Sequence, residues 1–208
     1  MNRRNYQKEL DRLIQRQGEN RPRLLLHACC GPCSSAVLER LTRYFSITIL
    51  YYNPNTWPPE EYRRRGDELQ RFVDSAHPGT VAVVEAPYDP REFYEAVEGL
   101  EREPERGGRC TVCYRLRMEY AARYAAEHGF DWFTTTLSLS PHKDAERINR
   151  IGLELQAQYG VPHLPSDFKK QNGYLRSLQL SETYGLYRQD YCGCEFSARA
   201  RQAKDEAE

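Results

Sequence analysis

The 208-residue sequence has no net charge, since 30 lysines and arginines are matched by 30 aspartates and glutamates. No global field therefore marks it as a nucleic-acid binder or rules that out, and only local basic clusters can speak. It also lacks a long apolar run. No segment approaches the roughly 18 apolar residues of a membrane span, and the opening stretch MNRRNYQKELDRLIQRQ lacks the apolar core of a signal peptide. A cytoplasmic location with no membrane partner is expected. There is no GxGxxG fingerprint of a flavin or nicotinamide site, no internal repeat and no low-complexity linker. Such a chain can bury a core without a disulfide framework. One catalytic domain over residues 1–208 is expected, with a helical extension at 1–20 and a charged, frayed tail at 199–208.

What the sequence does have is clustered cysteine. All seven fall in three tight groups, His27-Ala28-Cys29-Cys30-Gly31-Pro32-Cys33, Cys110-Thr111-Val112-Cys113 and Cys192-Gly193-Cys194. Thiols this close in sequence do not easily form independent disulfides, and a reducing compartment keeps them available as ligands. Four readings compete. Free cysteine is often an ordinary buried residue, but chance dispersal does not make three clusters. A structural zinc site could take four thiolates from CxxC and CGC, leaving Cys29, Cys30 and Cys33 unused. A dithiol pair of Cys30 and Cys33 would leave the other five unexplained. A redox metal centre such as an iron-sulfur cluster takes three or four thiolates, and the surplus suits a second, mononuclear iron or a redox-active thiol.

The order of elements brings these groups together. Arg23 to Ala28 reads as a buried strand that ends at the first cysteine group, and Val37, Leu38, Leu41, Tyr44 and Phe45 recur at helical spacing after it. Cys33 or Ser34 is placed near that helix's amino terminus, which favours thiolate and bound anions. Further strands are expected at Ile47 to Tyr52, Val81 to Glu85, Asp131 to Thr136 and Val161 to Leu164. Helices are expected from about Glu60 to Ala76, after Asp89-Pro90, along the CxxC segment to Gly129, after Ser140-Pro141 and from about Tyr174 to Tyr184. Strands alternating with helices predict an α/β fold, a doubly wound and mainly parallel sheet whose strand carboxyl ends form the ligand crevice. The helix-borne CxxC and the terminal CGC should fold over that crevice.

Six stretches carry a family resemblance: LLLHACCGPC, YYNPN with the following EYRRR, GGRCTVCYRLRM, TTTLSLSPHKD, DFKKQNGY and LYRQDYCGCEFS. In this order, from Leu24 to about Ser197, the chain resembles the QueH family of epoxyqueuosine reductases. The resemblance implies an oxidoreductase that works without cobalamin or flavin, removing the epoxide oxygen of epoxyqueuosine at the wobble position of a tRNA with a queuosine-type anticodon. It implies a [4Fe-4S] cluster beside an additional mononuclear iron, both held by these cysteine positions. The implied fold is similar to the PP-loop and related nucleotide-binding domains, with CCGPCSS where those enzymes have a phosphate loop, so ATP use is not expected. Aspartate can stand at the position of Cys33 in the family, which makes Cys33 a candidate ligand of the extra iron. Cys29, Cys30, Cys110, Cys113, Cys192 and Cys194 are the cluster candidates, and spacing does not divide them. An iron-sulfur tRNA sulfur transferase and a non-catalytic zinc module that binds nucleic acid are the alternatives.

Deoxygenating an epoxide to an alkene consumes two electrons and two protons and expels water. With no flavin or nicotinamide fingerprint, the electrons are expected from an external donor. Asp190 and Tyr191, next to the CGC, are the candidate catalytic residues, ahead of His27 and His142. His27 reads more readily as a hydrogen-bonded strand residue. A tRNA partner needs cations for phosphate and planar groups for an extruded base. Arg115, Lys143, Lys170 and Arg188 are the candidate cations, Tyr114 and Tyr187 the candidate stacking surfaces, and Asn53 a further candidate contact from the loop after the second strand.

Overall fold

The computed structural model describes residues 4–17 and 20–206. Four strands, β1 (Arg23–Ala28), β2 (Ser46–Tyr51), β3 (Val81–Glu85) and β4 (Trp132–Thr135), form one parallel sheet in the order β3-β2-β1-β4. The helices are α1 (Tyr6–Arg16), α2 (Gly31–Leu41), α3 (Pro59–Ala76), α4 (Pro90–Ala96), α5 (Gly108–Glu127), α6 (Ala145–Tyr159), α7 (Gly173–Thr183) and α8 (Glu195–Asp205). Strand side chains alternate between the two faces of a sheet. Leu24, Leu26 and Ala28 of β1 join Ile47, Ile49 and Tyr51 of β2 in one core beneath α1, α2 and α3. Leu25, Leu50 and Phe133 enter the other beneath α5 and α6. The doubly wound α/β architecture is therefore the observed one. Among the described residues no helix is long and apolar enough to cross a membrane.

The chain steps from β1 to β2 to β3 in one direction, then returns to lay β4 against the other side of β1, in register Leu24 to Trp132 and His27 to Thr135. The strand order reverses between β1 and β4, and the crevice at such a reversal is where open parallel sheets take their ligands. Cys29 follows β1 directly at that point. Opposite it, β4 runs into one turn of 3₁₀ helix, Thr136–Leu139, because the Thr135 hydroxyl accepts the Leu137 N–H at 3.2 Å.

Three boundaries differ from the expectation. Ser140-Pro141 forms a turn rather than a helix start, and α6 begins after Asp144, whose carboxylate accepts the Arg147 N–H at 3.2 Å. The expected strand near Val161 to Leu164 is a single bridge between Phe133 and His163, since Pro162 and Pro165 remove the donors a ladder needs. The tail expected to fray is helical through Asp205, supported by the pairs Arg199 with Glu195 and Arg201 with Asp205, four residues apart. α1 lies within the stretch expected as a helical extension and buries Leu10 and Ile14 in the core; residues 1–3, 18–19 and 207–208 lie outside the described residues.

Candidate metal centre

β1 ends in the peptide that starts α2, with Cys30 as the N-cap and Gly31-Pro32 as the first helical positions. Proline there has no N–H to lose, so the turn forms cheaply and gathers three thiols. The sulfur atoms of Cys29, Cys30 and Cys33 all lie within 4.8 Å of one another. Cys29 Sγ stands 3.7 Å from Cys30 Sγ and 3.7 Å from Thr136 Oγ1, well beyond bonding distance, and all seven cysteines are free thiols. Gln189 Nε2 donates to Cys30 Sγ at 3.2 Å. Hydrogen bonds from Cys30 and Cys33 hold the Cys29 thiol well below its ordinary range, with Lys143 and Arg117 adding to the effect. The bond to Cys29 and burial push Cys30 up to about 11, and the bonds to Cys29 and Cys30 raise Cys33 well above the ordinary thiol range. The trio thus concentrates one thiolate on Cys29.

The second group is assembled from α5 and the tail. Cys110 and Cys113 share a face of α5, and the Arg106 N–H donates to Cys110 Sγ at 3.2 Å. Gly193 has φ +127°, a conformation open to glycine, which lets the CGC segment turn back; its carbonyl accepts the Trp57 N–H at 2.8 Å. Cys194 caps α8, donates to Ser197 Oγ at 3.4 Å and packs with Cys113, Phe93, Val97 and Phe196. Burial pushes the Cys113 thiol up to about 12 and raises Cys110 as well.

Both groups open on one cavity of about 440 Å³. Cys29, Cys33, Cys110 and Cys192 line it, one or more from each sequence group, together with Tyr114, Lys143, Arg188, Asp190 and Tyr191. Cys30 and Cys113 are buried and do not line it. Lys170 lines an adjoining cavity that shares Arg106, Pro141, His142 and Lys143 with the first.

Three of the expected contacts are placed elsewhere. Arg115 lies on the outer side of α5, paired with Glu154 of α6. Tyr187 turns its hydroxyl to Glu61 at 3.2 Å with the Arg64 guanidinium over its ring, outside the cavity. Asn53 is buried, donating to the Ala28 carbonyl at 2.9 Å and accepting from Arg117 at 3.4 Å, so it fastens the strand end rather than facing the cavity. His27 is fully buried between Thr135 Oγ1 at 2.8 Å and the Tyr52 carbonyl at 3.0 Å, and burial lowers it to about 4. It is a neutral strand residue with both ring nitrogens engaged. His142 is exposed beside Arg106. Two residues at the site went unweighted in the sequence. Arg117, four residues past Cys113, was legible from helical spacing, whereas Gln189 gives no signal for its contact with Cys30, 159 positions away.

Comparison with known proteins places this arrangement. The family model described as epoxyqueuosine reductase QueH matches residues 24–200, a span that contains all seven cysteines. The chain belongs to the QueH family of epoxyqueuosine reductases. Among its relatives, the epoxyqueuosine reductase QueH of Staphylococcus epidermidis is 46% identical over 202 residues, covering 93% of this chain and 84% of the relative. That of Streptococcus pyogenes is 47% identical over 182 residues, covering 86% and 71%. That of Thermotoga maritima is 32% identical over 184 residues, covering 87% and 93%. Among solved structures, the U34-tRNA thiolase NcsA from Methanococcus maripaludis with its [4Fe-4S] cluster superposes with a TM-score of 0.49 at 14% identity, covering 96% of this chain and 72% of that one. QueH membership makes this chain an oxidoreductase acting on epoxyqueuosine, and the sulfur-transferase and zinc-module alternatives give way to it.

Proposed function

We propose that the seven thiols hold a [4Fe-4S] cluster and an additional iron, and that the cavity four of them line receives the epoxyqueuosine base of a tRNA for reductive removal of its epoxide oxygen. The observation that carries this is the opening of all three cysteine groups on one cavity at the β1 and β4 ends. The donor set fits the group. Thiolate is the ligand that iron-sulfur clusters take, and seven thiols exceed the four a zinc site would use. Cys110, Cys113, Cys192 and Cys194 would hold one part, and Cys29, Cys30 and Cys33, already within 4.8 Å of one another, the other. When bound, this centre supplies electrons singly and an open iron for polarising a carbon-oxygen bond.

The chain's own residues prepare the reaction. Two carbon-oxygen bonds break, one carbon-carbon double bond forms, and two electrons and two protons leave the oxygen as water. Lys143 and Arg188 on the cavity wall offer positive charge to the flanking phosphates, and Tyr114 lies within the same wall. The adjoining cavity extends this rim through Arg106, Lys143, Arg147 and Lys170, giving a neutral protein a locally basic path for the tRNA backbone. Of the two proposed proton carriers, Tyr191 commits its hydroxyl to the Trp57 carbonyl at 2.6 Å. Asp190 has a side chain 68% exposed and only a 3.9 Å contact with Arg201, so its carboxyl is the less committed of the two. The electrons come from an external donor, and the setting is the cytoplasm.

The test is anaerobic purification followed by turnover. Brown protein with several irons per chain that converts epoxyqueuosine tRNA to queuosine tRNA is expected once a reductant is supplied. Colourless protein with one zinc, or an intact iron centre that leaves the substrate unchanged, would refute the proposal.

A further inference from the structure

Arg117 lies one helical turn beyond Cys113 on α5, and it is 2% exposed. Its Nε donates to the Cys113 carbonyl at 3.2 Å, and its Nη1 donates to Asn53 Oδ1 at 3.4 Å. Asn53 Nδ2 in turn donates to the carbonyl of Ala28, the residue before Cys29, at 2.9 Å. The guanidinium therefore bridges the two thiol groups. Its Nη2 is buried with no hydrogen-bond partner.

A buried guanidinium cannot shed its proton, so it needs an anion or a full set of acceptors. Arg65 and Arg109 also leave one buried nitrogen each, Nη2 and Nε, without a partner, but both are anchored otherwise. Arg65 is paired with Glu61 at 2.7 Å, and Arg109 donates to the carbonyls of Leu100, Glu101 and Glu103. Among the described residues no carboxylate pairs with Arg117, nor with Lys143 on the cavity wall. Burial opposes the charge of both cations, and what offsets it is Cys113, Cys192, Cys29 and Tyr114 around Arg117 and Cys192, Cys29 and Cys33 around Lys143. As protonated thiols most of these cysteines carry no charge. As metal ligands they are thiolates, and the two cations then have their counter-charge.

Building on the metal reading above, we infer that Arg117 and Lys143 are the fixed counter-cations of an anionic metal-thiolate centre, with Arg117 the buried member that joins its two halves. They are positioning residues for charge. Each electron added to the centre adds negative charge, so neighbouring cations favour the reduced form and raise its potential.

The experiment is an anaerobic redox titration of the loaded, substrate-free protein, followed by electron paramagnetic resonance and visible absorption. R117M is expected to move the midpoint to a more negative potential, R117K to stay near the wild type, and K143M to move it the same way by less. Thermal melting gives a second readout. Loading with iron raises the melting temperature of the wild type more than that of R117M, because the metal-free wild type has less thiolate charge facing its buried cation. An unchanged midpoint in R117M, or an equal fall in R117K, overturns the inference. If R117M does not fold, K143M decides, since its side chain reaches the cavity; an unshifted midpoint there overturns the cation pair. Wild-type protein that takes up no iron would sink the metal reading itself, whereas a normally loaded wild type with unshifted variants sinks this inference alone.

Discussion

The two thiol groups of this molecule are built by different means. Cys29, Cys30 and Cys33 come from five consecutive residues at the end of a central strand, and they are fixed when the sheet forms. Cys110, Cys113, Cys192 and Cys194 come from a helix and a tail joined by a small apolar cluster, with the tail docked on the loop before α3 through Gly193 and Tyr191 on Trp57. The first group is preset by the fold, and the second is conditional on docking. The difference teaches that one half of a metal site can be inherited from a sheet while the other is added from its surroundings.

The largest effect should come from removing one thiol on either side. Cys30→Ser and Cys113→Ser are each expected to lower turnover by at least about a thousandfold, since even partners of ligands are worth about 10–100-fold. Iron content should fall in both while the circular dichroism of the sheet persists. Full iron and turnover in either variant would show that the two groups are independent.

A second comparison uses metal-free protein and alkylation by iodoacetamide read by peptide mass spectrometry. Cys29 has its thiolate stabilised, so it is ionised below the ordinary thiol range, whereas Cys113, pushed up to about 12, stays protonated through neutral pH. Cys29 should therefore be modified at neutral pH more than about a hundredfold faster than Cys113, and the gap should close only as the medium becomes strongly alkaline. Equal rates at neutral pH would erase the electrostatic contrast between the groups.

The smallest effect is local. A Cβ at Gly193 would stand 2.8 Å from Arg65 Nη1 in a backbone conformation that glycine alone adopts readily. Gly193→Ala is expected to loosen the tail by about 1–3 kcal/mol. Amide exchange should report it at Trp57, whose N–H is bound to Gly193, with no change at the β1 amides. Faster exchange in both places would mean that the tail supports the sheet as well as the site.

The sheet was legible because its signals are local and redundant: apolar runs of strand length, Asp89 before Pro90, and glycines at helix ends. The convergence of the cysteines was legible because a parallel sheet sends each strand's carboxyl end to one side, where the first group and the Leu137 to Pro141 loop meet. The choice between Arg115 and Arg117 was less so. Residues two apart on a helix point about 200° from each other, so nearness to CxxC favoured neither, and only the four-residue spacing from Cys113 singles out Arg117. Tyr187 and Asn53 misled for a related reason, since motif membership does not distinguish a cavity wall from the packing behind it. The tail helix was hidden because its charges read as solvated, while its pairs with Glu195 and Asp205 need the helix to exist first.

The dependence of the second thiol group on the tail also sets an order in time. During synthesis the Cys29 to Cys33 turn leaves the ribosome before Cys192 and Cys194, which follow all four strands. Metal offered to the nascent protein meets half a site. On the metal reading proposed above, a complete centre would need Cys192 and Cys194 and so would form only after the strands of the sheet have been made.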